Sequence, residues 1–228
     1  MMKTKTPMKL SDRTINLLKN FASINQSILF KQGNQLRTIS VMKNILAEAN
    51  IDEDIPQEFG VYDLSQFLNS LGLFHEPELN FTGESFVTVK EGKQRSKYFF
   101  ADPSVIVTPP DKSLELPTED VSFELKTDQL DRLLKAAAIS QLPDLSVVGE
   151  NGAVKLLVRD KKNDTSNDYS VAVGETDKQF SFNFKVENIK ILPGTYNVVV
   201  SSKLLSKFTS TNHDLTYYIA LEPDSTFG

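Results

Sequence analysis

A chain of 228 residues with 39% apolar side chains can build one large domain or two of about 100–115 residues each. It has no cysteine, which excludes disulfides, thiol nucleophiles and cysteine-bound zinc; no apolar run nears the ~20 residues that cross a bilayer, and no signal-peptide pattern opens it. Its net charge of −5 repels nucleic acid overall, so a nucleic-acid role requires a locally basic surface.

Residues 1–7 are polar and lack periodicity, which predicts a flexible tail. Ser11-Asp12 then offers a helix start: a hydroxyl accepts from an orphan N–H, and a carboxylate sits at the positive end of the dipole. The helix places Ile15, Leu18 and Ala22 on one face, joined by Leu17, Phe21 and Ile24, with Arg13, Asn16, Lys19 and Asn20 opposite. Ile28–Phe30 and Gln35–Ile39 flank Gly33-Asn34, a two-residue hairpin signal. A strand is expected over Ala47–Ile51, ending in Asp52-Glu53-Asp54. A short helix follows over 62–74, with Leu64, Phe67, Leu68 and Leu71 on one face and Gly72 at its end. Short strands are expected near Leu79–Phe81, Phe86–Lys90 and Lys97–Ala101.

Residues 102–120 carry four prolines, which forbid helix and favour an extended connector. This marks a boundary between domain 1 (8–102) and domain 2 (121–228), with a connector over 103–120. The connector is apolar for a linker, which predicts that it packs along the body of the protein.

Thr127-Asp128 repeats the Ser11-Asp12 start, Leu133-Leu134-Lys135 repeats Leu17-Leu18-Lys19, and Ala138 repeats Ala22. After this helix come a hairpin about Glu150-Asn151-Gly152 and a strand from Tyr169 to Val173. Phe180, Phe182 and Phe184 then share one face of a strand. A short helix is expected over Val186–Ile191, then a meander through Tyr196–Val200, Leu204–Thr209 and Leu215–Leu221. Both halves read helix, hairpins, short helix, meander.

No catalytic constellation emerges. His75 and His213 lie in different halves without metal-ligand spacing, and no phosphate loop or dinucleotide fingerprint occurs. The Asp160, Asp164, Asp168 series lacks the glycine and terminal glutamate of a calcium loop. No cofactor or metal is expected, and the chain is not expected to be an enzyme. A metal-dependent nuclease built on Asp52–Asp54 is the enzymatic rival, and a monomeric two-domain scaffold is the other.

The segments MKLSDRTINLLKNFASIN (8–25), LAEANI (46–51), YDLSQFL (62–68), ADPSVIV (101–107) and YYIALEPDST (217–226) stand in an order that resembles the DNA polymerase sliding clamps, or processivity factors, of T4-like bacteriophages. The resemblance implies an α+β DNA clamp fold: a homotrimeric ring with two similar domains per subunit, helices lining the hole and antiparallel sheets outside. It also implies sequence-independent passage of duplex DNA, tethering of the replicative polymerase, and loading by an ATP-driven clamp loader. Late transcription factors are further implied partners, and the cytoplasm of the infected host is the implied location. On this basis Lys9, Arg13, Lys19, Arg132, Lys135, Lys185 and Lys190 are the expected DNA-facing residues, aimed at phosphates and carrying no base readout. The polymerase peptide is expected at a pocket of Val105, Ile106 and Val107 with Tyr218, Ile219 and Leu221.

Overall fold

The computed structural model describes residues 7–228, so the expected tail, apart from Pro7, lies outside the described residues. The chain divides into two compact units between Asp111 and Lys112.

The first unit runs α1 (Asp12–Ile24), β1 (Ile28–Phe30), β2 (Gly33–Ile39), β3 (Ile45–Ile55), β4 (Phe59–Val61), α2 (Leu64–Leu71), β5 (Glu78–Asn80), β6 (Phe86–Glu91) and β7 (Gln94–Phe99). Ser11 caps α1 as its sequence predicts, its hydroxyl accepting from the Thr14 N–H at 3.3 Å. The helix buries Thr14, Leu17, Leu18, Phe21 and Ile24, while Ile15 and Ala22 stay half-exposed at the margin. Asp63 caps α2 by accepting from the Gln66 N–H at 2.8 Å, and Gly72 ends it. Leu64, Phe67, Leu68 and Leu71 are buried, as the periodicity requires.

Two strand expectations need correction. Gly33-Asn34 is not a hairpin turn: β1 pairs antiparallel with β4, and β2 pairs with β3. Gly33, at φ 110°, starts β2 beside a register shift, and the tight turn lies between Ser40 and Ile45. There the Ser40 hydroxyl accepts the N–H groups of Asn44 and Ile45, both at 3.1 Å. Pairing with β4 brings Phe30 onto Phe59, with ring centroids 4.4 Å apart and planes 6° from parallel, a burial that a local hairpin forgoes. β3 also runs through Asp52-Glu53-Asp54 instead of ending there, because Arg13 and the start of α1 satisfy Asp52 and Glu53. The antiparallel β5-β6-β7 sheet completes the unit, and Met8 exchanges backbone hydrogen bonds with Leu79 at its edge.

The connector begins with a single 3-10 turn at Pro103–Val105 and lies against the first unit up to Asp111. The buried Asn25 amide donates to Val107 O at 3.3 Å, Arg37 donates to Pro110 O at 2.7 Å, and Lys31 pairs with Asp111 at 2.6 Å. Gly60 lets it come close. A Cβ there would meet both Ala101 O and Ile106 Cδ1 at 2.7 Å.

The second unit runs β8 (Val121–Leu125), α3 (Thr127–Ser140), β9 (Asp144–Glu150), β10 (Ala153–Arg159), β11 (Tyr169–Glu175), β12 (Phe180–Lys185), β13 (Tyr196–Ser201), β14 (Leu205–Ser210), β15 (Leu215–Ala220) and β16 (Thr226–Phe227). One sheet has the order β11-β10-β9-β12-β16, and a second set runs β15-β14-β13-β8. The β9–β10 turn uses Asn151 and Gly152 at φ 51° and 81°, as a two-residue hairpin with right-handed strand twist demands. Phe180, Phe182 and Phe184 are all buried, and the Tyr196 and Tyr217 rings meet edge-on at 6.1 Å.

The helix ends here depart from expectation in two places. α3 starts with Thr127 already helical, and the Lys126 N–H is held by the Gln129 side chain at 2.9 Å. The expected helix over Val186–Ile191 is only a 3-10 turn at Val186–Asn188. Six residues that include β-branched Val186, Ile189 and Ile191 are too few to repay helix nucleation, and Ile189 and Ile191 bury themselves from the non-helical chain that follows. The described residues therefore hold three α-helices, not the four whose polar faces the sequence offered.

Candidate nucleic-acid interface

The two long helices present closely related outer stripes. On α1 the exposed residues Asp12, Asn16, Lys19 and Ser23 follow one another at spacings of four, three and four, so they share one face. On α3 the exposed residues Asp128, Arg132, Lys135 and Ile139 follow the same spacings. Each stripe starts with a carboxylate at the positive end of the helix dipole and carries a lysine two turns on. α2 exposes Ser65, Gln66 and Asn69 and no charge.

The structure distributes the seven expected basic residues unequally. Lys9 lies 3.0 Å from Glu76 and 3.8 Å from Glu78, and these carboxylates hold its ammonium above the usual lysine range. Arg13 donates to Asn50 O at 3.2 Å and lies 3.5 Å from Asp52, so its guanidinium docks α1 on β3. Arg132 sits 3.7 Å from Asp128 on its own helix, with both partners solvated. Lys185 meets Asp144 at 2.6 Å; this hydrogen bond raises its pKa and outweighs the opposing effect of burial. Lys190 is half-buried and partnered. Lys19 and Lys135 are exposed, and neither has a carboxylate within ion-pair reach among the described residues.

Asp144 is the residue that sequence reasoning missed. It is 1% exposed, and it also accepts the Lys161 N–H at 3.2 Å. Its partners lie 17 and 41 residues away, so no local pattern announces it.

Among the expected peptide-binding residues, Val105 is 56% exposed, Ile106 is buried and Val107 is half-buried. In the second unit Tyr218, Ile219 and Leu221 are all buried. Lys207 lies over the Tyr218 ring, 5.9 Å from its centroid. A cavity of about 150 Å³ opens beside the connector, lined by Leu29, Gln32, Gln35, Arg37, Thr108 and Pro109. Asp52 and Glu53, the carboxylates of the nuclease rival, face Arg13 and the start of α1. No cluster of metal-ligating side chains occurs among the described residues.

Comparison with known proteins reaches both units. Residues 9–108 match the family described as DNA polymerase processivity factor, and residues 122–223 match the one described as gp45 sliding clamp, C terminal. The chain is 34% identical over 222 residues to the sliding clamp of Vibrio phage KVP40, covering 94% of this chain and 99% of that one. It is 34% identical over 228 residues to the sliding clamp of Escherichia phage RB69, covering 96% and 99%. Among solved structures, PCNA from Thermococcus kodakaraensis superposes with a TM-score of 0.68 at 16% identity, covering 95% of this chain and 99% of that one. The DnaN sliding clamp of Pseudomonas aeruginosa gives 0.64 at 14% identity, covering 97% and 66%.

Proposed function

The chain belongs to the phage sliding-clamp family of DNA polymerase processivity factors, and from that premise we propose that it acts as a homotrimeric ring threaded on duplex DNA. It keeps the replicative polymerase on its template and does no chemistry of its own. An ATP-driven loader opens and closes the ring, late transcription factors are further partners, and the host cytoplasm is its place of work.

One observation carries this reading. Each unit turns one face of a long helix to solvent with a lysine that no carboxylate reaches as an ion pair among the described residues; Asp12 opens the first stripe two turns away, and Asp128 pairs with Arg132 on the second. Such a surface attracts phosphates without reading bases. The exposed strip also lacks aromatic side chains, which suits passage of a stacked duplex rather than capture of single strands. The connector supplies the polymerase contact through Val105, the exposed apolar residue at its start.

The test is light scattering and negative-stain microscopy of concentrated protein, with polymerase product lengths on primed circular DNA measured with and without it. Closed rings of three copies with a hole wide enough for a duplex (at least ~20 Å), together with longer products, are the expected result. A monomer at every concentration that leaves product length unchanged would favour the two-domain scaffold.

A further inference from the structure

We propose that residues 226–228 are a removable clasp, and that the β12 edge beneath them captures an extended, aromatic-bearing segment of a partner protein. The clasp and its seat lie within the second unit and stand whether or not the chain forms a ring.

β12 is paired unequally on its two sides. It pairs with β9 along its whole length, from Phe180↔Gly149 to Lys185↔Asp144, but with β16 only through Phe180↔Phe227 and Ser181↔Thr226. The chain is held firmly as far as Ser225. The buried Asn183 accepts the Glu222 N–H on its carbonyl at 2.7 Å, and its own N–H donates to Ser225 Oγ at 2.9 Å. Its side-chain amide donates to Asp224 Oδ1 at 3.2 Å, and Lys161 meets Asp224 at 2.7 Å. Beyond Ser225 the hold is slighter: the two ladder pairs, the Gly228 N–H on Gln179 O at 3.2 Å, and the Phe227 ring. Such a segment opens locally at far lower cost than the sheet it leaves.

What the clasp covers suits an aromatic strand. The Phe227 ring lies 5.8 Å from Phe182 with planes 15° apart and 6.2 Å from Phe180, and the Lys178 ammonium sits 5.2 Å from its centroid. Gly149 lets the Phe180 ring lie flat across the backbone, since a Cβ there would collide with it. Phe227 fills this seat incompletely. It stays 36% exposed, and a cavity of about 650 Å³ adjoins it, lined by Gly149, Glu150, Asn151, Gln179 and Gly228; that is the size of a ligand site. Lifting the clasp bares backbone N–H and C=O groups of β12 beside the otherwise buried Phe180 and Phe182. A bare edge is a template for another strand, and extended peptides add to sheets by main-chain pairing with alternate side chains in pockets. The clasp itself defines the occupant: an antiparallel strand with an aromatic residue opposite Phe180 and further residues that enter the cavity. A tethered clasp competes at an effective concentration of roughly millimolar, so only a segment that also fills the cavity displaces it.

The experiment follows the anisotropy of a fluorescein-labelled peptide with the sequence of residues 222–228 as full-length protein is raised to about 1 mM, the effective concentration of a short tether. Phe227→Ala should bind the peptide about tenfold or more tightly than the wild type, because weakening the clasp raises the open fraction. The chain has no cysteine, so Ser181→Cys with Thr226→Cys places a single disulfide across a register pair. The oxidised form should bind no peptide, and reduction should restore binding. A control peptide with alanine for its phenylalanine should not bind. Binding that survives oxidation would overturn the site, as would equal binding by the wild type and a Phe227→Ala protein of unchanged melting temperature. Should Phe227→Ala melt early, the double variant decides alone: no difference between its oxidised and reduced forms overturns the proposal. Self-association that oxidation abolishes would give the edge to β16 of a second copy and overturn the partner assignment.

Discussion

The Thr14 hydroxyl donates to Glu53 Oε2 at 2.7 Å, joining the first turn of α1 to β3 across 39 residues. The other carboxylate oxygen of Glu53 takes the Ser11 N–H at 2.5 Å. The helix start is thus capped twice, by its own Ser11 side chain and by an acid from the sheet.

That arrangement makes Glu53 acid-sensitive. Burial pushes its carboxyl up, but the hydrogen bonds from the Ser11 N–H and the Thr14 hydroxyl outweigh it and hold the group below its ordinary 4.5. A depressed carboxyl stabilises the fold fully above its unfolded value and loses that contribution as pH falls through the folded one. The urea midpoint of the wild type should drop below pH 4.5 more steeply than that of Glu53→Gln, while the variant should be less stable at neutral pH. Parallel curves would show that Glu53 does not couple the helix start to protonation.

Asp144 anchors Lys185 and the Lys161 backbone from a site with 1% exposure. Asp144→Asn should destabilise the second unit by about 2–3 kcal/mol, below the ~3–5 of a fully buried pair because Lys185 reaches solvent. The raised Lys185 pKa means that the pair persists below its ordinary 10.5 and is lost only as pH rises beyond the folded value. The loss should therefore be constant across the neutral range, as urea melts at several pH values would reveal.

Phe59 stacks on Phe30 and also meets Phe81 at 5.2 Å and Phe100 at 5.0 Å. Phe59→Ala should cost about 3–5 kcal/mol, since the cavity opens among rings that cannot close over it. Denaturant unfolding should show a lower midpoint at an unchanged slope.

The connector offers a sharper probe of polymerase binding than its buried residue. Ile106 is 7% exposed over Gly60, so Ile106→Asp would unseat the connector as well as alter any docking surface. Val105→Asp acts on a side chain that is 56% exposed. If the proposed polymerase contact holds, it should weaken polymerase binding about tenfold or more, equivalent to ~1.4 kcal/mol, with an unchanged melting temperature. Unchanged affinity in calorimetry would remove Val105 from the contact.

Gly60→Ala isolates the connector's seat. With its Cβ at 2.7 Å from both Ala101 O and Ile106 Cδ1, the chain must lift there, at a cost of about 1–3 kcal/mol. Faster amide exchange should appear at Ala101 and Ile106, which donate to Gly60 O and Pro103 O, and not in the second unit.

The sequence by itself determined the elements whose causes are local. Ser11-Asp12 and the 3.6-residue apolar spacing wrote α1, Asn151-Gly152 wrote the β9–β10 turn, and alternating phenylalanines wrote β12. The repeated stripe was legible for the same reason: helix periodicity puts Lys19 and Lys135 outward whatever surrounds them. Only the tertiary structure decided which charges remain available. Arg13 reads as a surface cation until β3 brings Asn50 and Asp52 beneath it, and Lys185 does so until β9 delivers Asp144. Strand pairing went the same way, since Gly33-Asn34 permits a local hairpin but Phe30 gains more by reaching Phe59. The physical reason is common to all three: propensity and periodicity act within a few residues, whereas ion pairing and aromatic burial are settled by partners that only the closed fold brings into contact.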